Sequence, residues 1–217
     1  MPGTRQAPGK ERKRVPLQTV ERLSLYRKVL VELHEEGVSD VFSHRLAALT
    51  GVTPAQLRRD LSIFGSFGSV VRGYEVFPLL VTIGRLLGTD RLQTVALVGM
   101  GNLGRTLLMY RGFEERGFHI GVTFDLDREK TDRVFAGRRC YAMDDLERVL
   151  AEYQVRIAIL ACGPVGLQAL VDRLAAAGVR SLLNFVPKLV TPPAGVHIED
   201  VDLTARLEKL SFLSRGD

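Results

Sequence analysis

The sequence predicts an α/β protein with an N-terminal winged helix-turn-helix domain, a Rossmann domain built on a doubly wound parallel sheet, and one further C-terminal helix. Three observations support this prediction. Two short helices joined through Thr50-Gly51-Val52 have the spacing of a helix-turn-helix. A buried apolar strand at 95–98 runs into a GxGxxG glycine pattern. Strands then alternate with helices to about residue 200, which is typical of a parallel sheet.

The composition indicates a soluble globular protein of a reducing compartment. Hydrophobic residues make up 46% and charged residues 25% of the 217 residues, which excludes disordered and collagen-like chains. Cys140 and Cys162 cannot form a disulfide scaffold, and neither they nor the four histidines have the spacing of a zinc site. The N-terminus lacks the apolar core of a signal peptide, and the longest apolar stretch, 157–171, is too short and interrupted to span a bilayer. We therefore expect a cytoplasmic protein with no membrane segment and no metal.

Residues 1–15 are predicted to form a basic, flexible arm. Residues 1–30 contain eight lysines and arginines against two glutamates, whereas the whole chain carries a net charge of +5. The positive charge is therefore concentrated at the N-terminus, as in proteins that bind a polyanion. Charge alone leaves a simple solvated tail equally open.

The N-terminal domain is predicted at residues 16–85 and begins with two helices. The first helix spans 19–36, has apolar residues at three- and four-residue spacing, and ends at Gly37. Its apolar positions are Val20, Leu23, Tyr26, Leu30 and Leu33. Ser43 is the expected N-cap of the second helix. The expected inward positions of that helix are Leu46, Ala47 and Leu49.

The third helix has the features of a DNA-recognition helix. Thr53 and Gln56 are spaced as a capping box, with Pro54 at the first helical position. Its expected buried stripe is Leu57, Leu61 and Phe64. Arginine and glutamine near the start of such a helix can reach base edges, while serine and a second arginine can hold phosphates. The residues predicted to contact DNA are Ser43, Gln56, Arg58, Arg59, Ser62 and Arg72. A small helical bundle with a polar face is the alternative.

A short hairpin is predicted after this helix. Gly65, Gly68 and Gly73 surround apolar residues that alternate as in a pair of strands. The apolar residues are Val70, Val71, Tyr74 and Val76. The hairpin would be the wing of a winged helix.

A dinucleotide-binding motif opens the second domain, which is predicted at residues 90–202. The motif consists of Gly99, Met100, Gly101, Asn102, Leu103 and Gly104. The first glycine allows a tight turn, the second a close approach of the pyrophosphate, and the third close packing of helix on strand. The following helix is expected to extend to about Arg116, and its N-terminus offers N–H groups to phosphates.

Asp125 ends the next predicted strand, Ile120 to Asp125, about 20 positions after the glycines. Its carboxylate can accept hydrogen bonds from the adenosine ribose hydroxyls, and its charge would repel a 2′-phosphate. We therefore expect NAD(H) rather than NADP(H). A purely structural glycine turn is the alternative.

The remaining elements continue the alternation of strands and helices. Strands are expected at 157–160, 182–185 and 197–201. Helices are expected at 144–153, 165–177 and 203–213. The last helix belongs to a C-terminal segment, 203–217, that is left over after the Rossmann domain.

The sequence contains no catalytic constellation that would make this cofactor domain a dehydrogenase. Such enzymes normally have a substrate domain with an acid–base residue beside the nicotinamide, and little chain remains for one. Cys162 ends a strand but has no histidine near it in the sequence, and a structural cysteine is favoured. His119 is predicted to be a surface or packing residue. We therefore expect a protein that binds the cofactor as a signal and is not an enzyme.

In the order of its motifs, the chain resembles the Rex family of redox-sensing transcriptional repressors. The resemblance covers about Val15 to the C-terminus and begins with the winged helix. The motifs that carry it are Leu57-Arg58-Arg59-Asp60-Leu61-Ser62-Ile63-Phe64-Gly65, Val98-Gly99-Met100-Gly101-Asn102-Leu103-Gly104, Phe124-Asp125-Leu126-Asp127, Leu183-Asn184-Phe185 and Val201-Asp202-Leu203-Thr204. Each motif recurs in unrelated proteins, but their order does not.

The resemblance implies a homodimer that binds a palindromic operator and senses the NADH/NAD+ ratio. In that family NADH closes the dimer and releases DNA, while NAD+ permits binding. The resemblance also implies that the last helix, in 203–217, is exchanged between subunits. Tyr110 and Asp202 fall where the family places a switch tyrosine and aspartate, and Lys28 falls where some members have an arginine that pairs with that aspartate.

Two positions depart from the family pattern. Lys28 keeps the charge of the usual arginine but lacks its planar, bidentate fork, which predicts a weaker pairing. In the wing, the chain has Ser69, Val70 and Val71 where members usually have a lysine or threonine, an arginine and a glycine. Arg72 is the charge that remains, so we expect weaker contact of the wing with DNA.

The nicotinamide ring is positive in NAD+ and neutral in NADH, and burial of an unpaired charge in an apolar pocket is costly. A closed pocket therefore favours NADH, and Tyr110 and Phe185 are predicted to line it. Three other functions stay open at this point. The chain could be an NAD(H)-binding paralogue with lost or altered DNA binding, a small NAD-dependent oxidoreductase, or a DNA-binding protein that ignores the cofactor.

Overall fold

In the computed structural model, the chain is described at residues 15–65, 67–68 and 72–215. Nearly all of the predicted basic arm and the wing residues 69–71 lie outside these ranges. The chain divides into two compact units between Asp90 and Arg91.

The N-terminal unit is a set of helices around one apolar core. Its elements are α1 (Leu17–Glu35), β1 (Asp40–Val41), α2 (Ser43–Thr50), α3 (Pro54–Ser62), β2 (Tyr74–Glu75) and α4 (Val76–Leu87). The two short strands pair antiparallel, with Val41 opposite Tyr74. Helices α1 and α4 pack together, and the core contains Leu23, Tyr26, Leu30, Leu33, Leu46, Leu57, Leu61, Leu79 and Ile83.

Three predictions for this unit were wrong in detail. Ser43 is the first helical residue of α2 rather than its N-cap, which is Phe42 in extended backbone. Leu49 is exposed, because Thr50 takes the inward position and donates from its hydroxyl to the carbonyl of Leu46 at 2.7 Å. Val76 begins α4 instead of continuing a strand.

Helix α4 was not predicted from the sequence. It contains Pro78, Gly84 and several β-branched residues, all of which lower intrinsic helix propensity. Burial of Leu79 and Ile83 in the core shared with α1 provides the compensating stabilisation. Tertiary packing therefore decides the conformation of this segment.

The C-terminal unit alternates strands and helices. Its strands are β3 (Gln93–Val98), β4 (Phe118–Asp125), β5 (Val134–Phe135), β6 (Arg138–Ala142), β7 (Ile157–Leu160), β8 (Ser181–Asn184) and β9 (His197–Asp200). Its helices are α5 (Asn102–Leu108), α6 (Leu146–Glu152), α7 (Leu167–Ala176) and α8 (Leu203–Leu213), with 3₁₀ helices at Arg111–Arg116 and Met143–Asp145.

These strands form one sheet in the order β5-β6-β4-β3-β7-β8-β9. Six strands run parallel, and β5 pairs antiparallel at the edge. Because β3 lies between β4 and β7, the strand order reverses beside the glycine loop, and ligands of open α/β sheets bind at such a point. The predicted doubly wound Rossmann fold is confirmed.

The order of elements matches the sequence prediction more closely than their bounds. The helix expected to reach Arg116 ends at Leu108, and a 3₁₀ helix follows after Tyr110. Helix α7 begins at Leu167 rather than at 165, because Gly166 has a positive φ of 71°. The hairpin of β5 and β6 was not predicted. Helix α8 has the predicted bounds, and none of its side chains is buried.

Candidate functional site

Two positions at the junction of β3 and α5, Gly99 in the loop and Gly104 in the first turn of the helix, can be occupied only by glycine. Gly99 has a φ of +102°, and a Cβ atom there would lie 2.5 Å from the carbonyl oxygen of Ala161. A Cβ atom at Gly104 would collide with the carbonyl oxygen of Gly99. Both glycines therefore serve the close packing of α5 on the sheet.

Gly101 is different, because a Cβ atom there would meet no other atom within 4 Å. Its φ of −75° is open to any residue. The fold therefore does not require glycine here. The absence of a side chain instead leaves open space beside the N-terminus of α5, which is the cradle that a pyrophosphate would need.

Asp125 is tied to the glycine loop. Its carboxylate is nearly buried, at 8% exposure for the residue. One oxygen accepts from the backbone N–H of Met100 at 2.7 Å and the other from that of Asp127 at 2.8 Å. Lys130 Nζ lies 3.3 Å from Asp125 and 3.3 Å from Asp127. A carboxylate has about four acceptor positions, so Asp125 can hold the loop and still accept from a ligand.

A cleft of about 710 Å³ lies at the carboxyl ends of the strands. Of the predicted cofactor residues, Gly99, Gly101 and Asp125 line it. Its other wall includes Cys162 and Arg173. This volume is within the range of ligand pockets, and the residues that line it fit a dinucleotide.

The other predicted cofactor residues lie apart from this cleft. Met100 is fully buried beneath the loop. Asn102 is exposed at the start of α5. Leu103 and Phe185 line a second cavity, of about 310 Å³, together with Asp202. Tyr110 lines a third cavity, of about 490 Å³, so the structure does not place it in one cavity with Phe185.

The two cysteines lack the character of nucleophiles. Cys140 is buried in the sheet, and Cys162 is half-buried in the wall of the cleft. Burial raises the pKa of both thiols, which keeps them neutral at physiological pH. His119 lies on β4 beside Glu114, with Nδ1 3.1 Å from the carboxylate.

Helix α3 begins as its sequence indicates. The Thr53 hydroxyl accepts from the backbone N–H of Gln56 at 3.1 Å, and Leu57 and Leu61 are buried. Only half of the predicted capping box forms, because the Gln56 side chain points along the helix to Asp60 instead of back to Thr53. Phe64 lies beyond the end of α3 and packs at the edge of the core.

All of the predicted DNA contacts except Arg72 lie on α3 or at the start of α2, and they form hydrogen bonds with one another. Arg58 donates to the Ser43 hydroxyl at 3.0 Å. Arg59 donates to the side-chain carbonyl of Gln56 at 2.8 Å. The Ser62 hydroxyl donates to the carbonyl of Arg59 at 2.8 Å. Arg72 is exposed at the start of the described range 72–215 and lines a surface cavity with Glu75.

Sequence analysis missed a buried acid, Asp60, which is 2% exposed. Arg22 donates to it through Nε at 2.6 Å and through Nη2 at 2.8 Å. Tyr26 donates from its hydroxyl at 2.8 Å, and Gln56 from its amide at 2.9 Å. The network joins α1 to α3. The sequence position of Asp60 could have revealed its burial, because residue 60 falls within the buried stripe set by Leu57 and Leu61.

This network makes the N-terminal unit sensitive to acid. Burial by itself raises the pKa of Asp60, but hydrogen bonds from Arg22, Tyr26 and Gln56 outweigh it, and the net pKa lies below the usual value. A carboxyl group with a lowered folded-state pKa contributes stability above its unfolded pKa, and this contribution is lost as the pH falls through the folded value. The loss therefore begins below about pH 4.

We expect Asp60→Asn to lower the free energy of opening of α1 and α3 by about 3 kcal/mol at pH 7, because it leaves Arg22 without its counter-charge. The difference from wild type shrinks as the pH falls below about 4. Hydrogen–deuterium exchange of peptides from α1 and α3 measures both quantities. Asp145→Asn, which breaks an exposed pair with Arg148, is the matched control. A pH-independent difference would contradict the assignment.

The three predicted switch residues lie on separate elements. Lys28 is exposed on α1. Tyr110 is 59% exposed and makes an edge contact with Phe113, with ring centroids 5.1 Å apart. The Asp202 carboxylate caps α8 by accepting from the backbone N–H of Ala205 at 2.9 Å. Their joint role in a switch stays a prediction.

Within the described ranges, none of the helices combines the length and apolar character that a bilayer crossing requires. Over the same residues, no three His, Cys, Asp or Glu side chains cluster in a way that could hold a metal ion.

Comparison with known proteins identifies the family. A family model described as a putative DNA-binding protein N-terminus matches residues 14–62, and one described as a CoA binding domain matches 90–188. The chain is 40% identical over 210 residues to the redox-sensing transcriptional repressor Rex of Streptomyces griseus, covering 97% of this chain and 83% of that protein. The chain belongs to the Rex family of redox-sensing transcriptional repressors. Rex of Carboxydothermus hydrogenoformans is likewise 40% identical, over 94% of this chain and 98% of its own length.

Comparison with solved structures also identifies the Rex family. The Rex-family repressor RSP in complex with β-NAD+ and operator DNA has a TM-score of 0.88 and 30% identity to this chain, covering 94% of both. RSP in complex with β-NADH has a TM-score of 0.83 and 29% identity, covering 94% of this chain and 96% of that one. Because the Rex relatives are transcriptional repressors, the repressor function is favoured over the oxidoreductase alternative.

Proposed function

We propose that this Rex-family chain represses transcription as a homodimer in the cytoplasm, binds a palindromic operator through α3, and releases it when NADH binds. One observation carries the proposal. A single chain combines a capped helix carrying Arg58 and Arg59 with a glycine-lined dinucleotide cleft. The similar protein RSP has been solved with NAD+ and operator DNA and with NADH, which supports the same pair of ligands here.

Different residues of the cleft would accommodate different parts of the cofactor. Gly101 leaves room for the pyrophosphate, and Asp125 holds the loop while keeping acceptor capacity for the ribose. The negative charge of Asp125 and Asp127 opposes a 2′-phosphate, although Lys130 offsets part of it. We therefore retain the preference for NAD(H) over NADP(H).

The bound cofactor would supply a difference in charge, because its nicotinamide ring is positive in NAD+ and neutral in NADH. Apolar side chains around that ring disfavour the charged form. A shift of the dimer from 1:99 to 99:1 requires about 5.5 kcal/mol of differential affinity, which two cofactors per dimer would share. Two copies of α3 fit a palindrome only when they match half-sites about 34–36 Å apart.

We expect the double variant Tyr110→Ala, Phe185→Ala to lose its preference for NADH, so that the ratio of NADH to NAD+ affinity falls toward one. Calorimetric titration with each cofactor measures this ratio, and each tenfold change corresponds to about 1.4 kcal/mol. Tyr153→Ala removes an exposed aromatic side chain of the same unit and serves as the control. An unchanged ratio in the double variant would reject the pocket assignment.

The proposed function is tested by DNA binding in three cofactor states. A palindromic duplex is first enriched by the protein from a random-sequence library and then labelled for fluorescence anisotropy. Protein is titrated at fixed salt with no cofactor, with NAD+ and with NADH, since phosphate contacts make affinity depend steeply on salt. Release by NADH alone is the expected result. NADH binding without any enriched duplex would instead indicate a paralogue that has lost DNA binding, and DNA binding that ignores the cofactor would reject the sensor.

A further inference from the structure

The Asp60 carboxylate is fixed in place from the α1 side. Arg22 engages both of its oxygens in a bidentate contact, at 2.6 and 2.8 Å, and the Tyr26 hydroxyl adds a third hydrogen bond at 2.8 Å. Charge-assisted, bidentate contacts of this kind are both strong and geometrically specific. Asp60 therefore presents a fixed acceptor to α3.

Gln56 lies one helical turn before Asp60, and its Nε2 donates to Asp60 Oδ1 at 2.9 Å. An ionised carboxylate can only accept hydrogen bonds, so the amide group of Gln56 must turn its NH₂ toward Asp60. The amide carbonyl is thereby directed away from the buried acid. There it accepts from Nη2 of Arg59 at 2.8 Å.

A chain of hydrogen bonds therefore runs from Asp60 through Gln56 to Arg59. Gln56 gives one N–H and one carbonyl lone pair to partners within the protein, and these two contacts fix the orientation of its amide. Bidentate reading of an adenine would require the amide to turn a donor and an acceptor toward the base together. Arg59 has five N–H donors and gives one to this contact. A long side chain held in one orientation loses less conformational entropy when it binds.

We propose that Gln56 is a positioning residue for Arg59, held by the buried Asp60, and does not itself read a base. The proposal rests on the proposed function, because it concerns how α3 meets operator DNA. It replaces the sequence-based prediction that Gln56 reaches a base edge. Arg59 is the side chain of the pair that contacts DNA.

A double-mutant cycle tests this assignment, since coupled residues are non-additive and independent ones add. Operator anisotropy is measured for wild type, Gln56→Met, Arg59→Ala and the double variant. We expect Gln56→Met to weaken operator binding about tenfold, the effect of one hydrogen bond to a charged group. In the Arg59→Ala background the same change is expected to have less than about a twofold effect.

The base-sequence preference of operator binding is a second readout, and it would not change if the role of Gln56 were only structural. Each base pair of the enriched operator is replaced in turn, and Gln56→Met is expected to relax the preference at the positions that Arg59→Ala relaxes. Gln56→Ala repeats the cycle with a residue that favours helix, should the methionine variant fold poorly. NADH affinity, which belongs to the other unit, should stay at the wild-type value in every variant.

Additive effects in the cycle, or an effect of Gln56→Met at base pairs that Arg59 does not influence, would overturn the positioning role. So would wild-type affinity of Gln56→Met. These outcomes leave wild-type operator binding intact, so they are distinct from failure of the proposed function, in which the wild-type protein itself binds no enriched duplex and both conclusions fall.

Discussion

Replacing Gly104 by alanine is expected to abolish NADH binding and to destabilise the C-terminal unit by about 3 kcal/mol, the upper part of the range for overpacking. The new Cβ atom would collide with the backbone carbonyl of Gly99, which cannot rotate away as a side chain could. Helix α5 must then move off the sheet, and the loop that Asp125 holds through Met100 loses its shape. Thermal unfolding and calorimetric NADH titration measure the two effects.

Gly101→Ala is the matched control, because it makes the same chemical change three residues earlier. Apart from its own residue and the adjoining chain, no atom lies within 4 Å of the added methyl group, so stability is expected to change by less than about 0.5 kcal/mol. NADH affinity is nevertheless expected to fall, because the methyl group occupies the space that the pyrophosphate needs. If Gly101→Ala bound NADH as wild type does, the phosphates would have to lie elsewhere in the cleft.

Removing both arginines of α3, Arg58→Ala with Arg59→Ala, is expected to weaken operator binding at least about 100-fold at physiological salt. Arg59→Ala alone should cost about 1–3 kcal/mol and relax the sequence preference, as the loss of a base contact does. Arg58→Ala should weaken binding to all sequences and reduce the salt slope by about one, as the loss of a phosphate contact does. Anisotropy titrations at several salt concentrations separate the two.

Arg148→Ala controls for the loss of positive charge. Arg148 is an exposed arginine of α6 that pairs with Asp145 at 2.6 Å and Glu152 at 3.3 Å. Its replacement removes one positive charge from the other unit and is expected to change operator affinity by less than about twofold. A comparable loss of affinity in this variant would mean that total charge, not α3, determines DNA binding.

The features that sequence analysis predicted correctly are local ones. The glycine motif lies between a strand and a helix, so both elements could be predicted from residues within one stretch of chain. The Thr53 cap and the buried stripe of α3 are local in the same sense. Helix α4 was missed because its residues have low helix propensity, and its stabilisation comes from packing against α1, far away in the sequence.

In the functional sites, too, contacts between residues distant in the sequence could not be predicted. Sequence spacing located Asp125 at the end of β4 but not its bond to the N–H of Met100, 25 residues earlier. Asp60 appeared only as part of a family motif, since its partners Arg22 and Tyr26 are 38 and 34 residues away. A charged residue within a buried helical stripe is the sign that such a partner exists, because an unpaired buried charge is too costly to persist.

The exposed apolar face of helix α8 would, if covered by a second copy of the chain, make the measured stability of the protein depend on its concentration. It has 11 residues, buries none of them within its own chain, and exposes large apolar side chains such as Leu207, Leu210 and Phe212. A helix of this length is marginal in water unless its apolar face is covered. If a second copy covers that face, mass action raises the apparent melting temperature with protein concentration. Dilution would then unwind α8 before the rest of the C-terminal unit, and helical circular dichroism would decrease while the sheet remains folded.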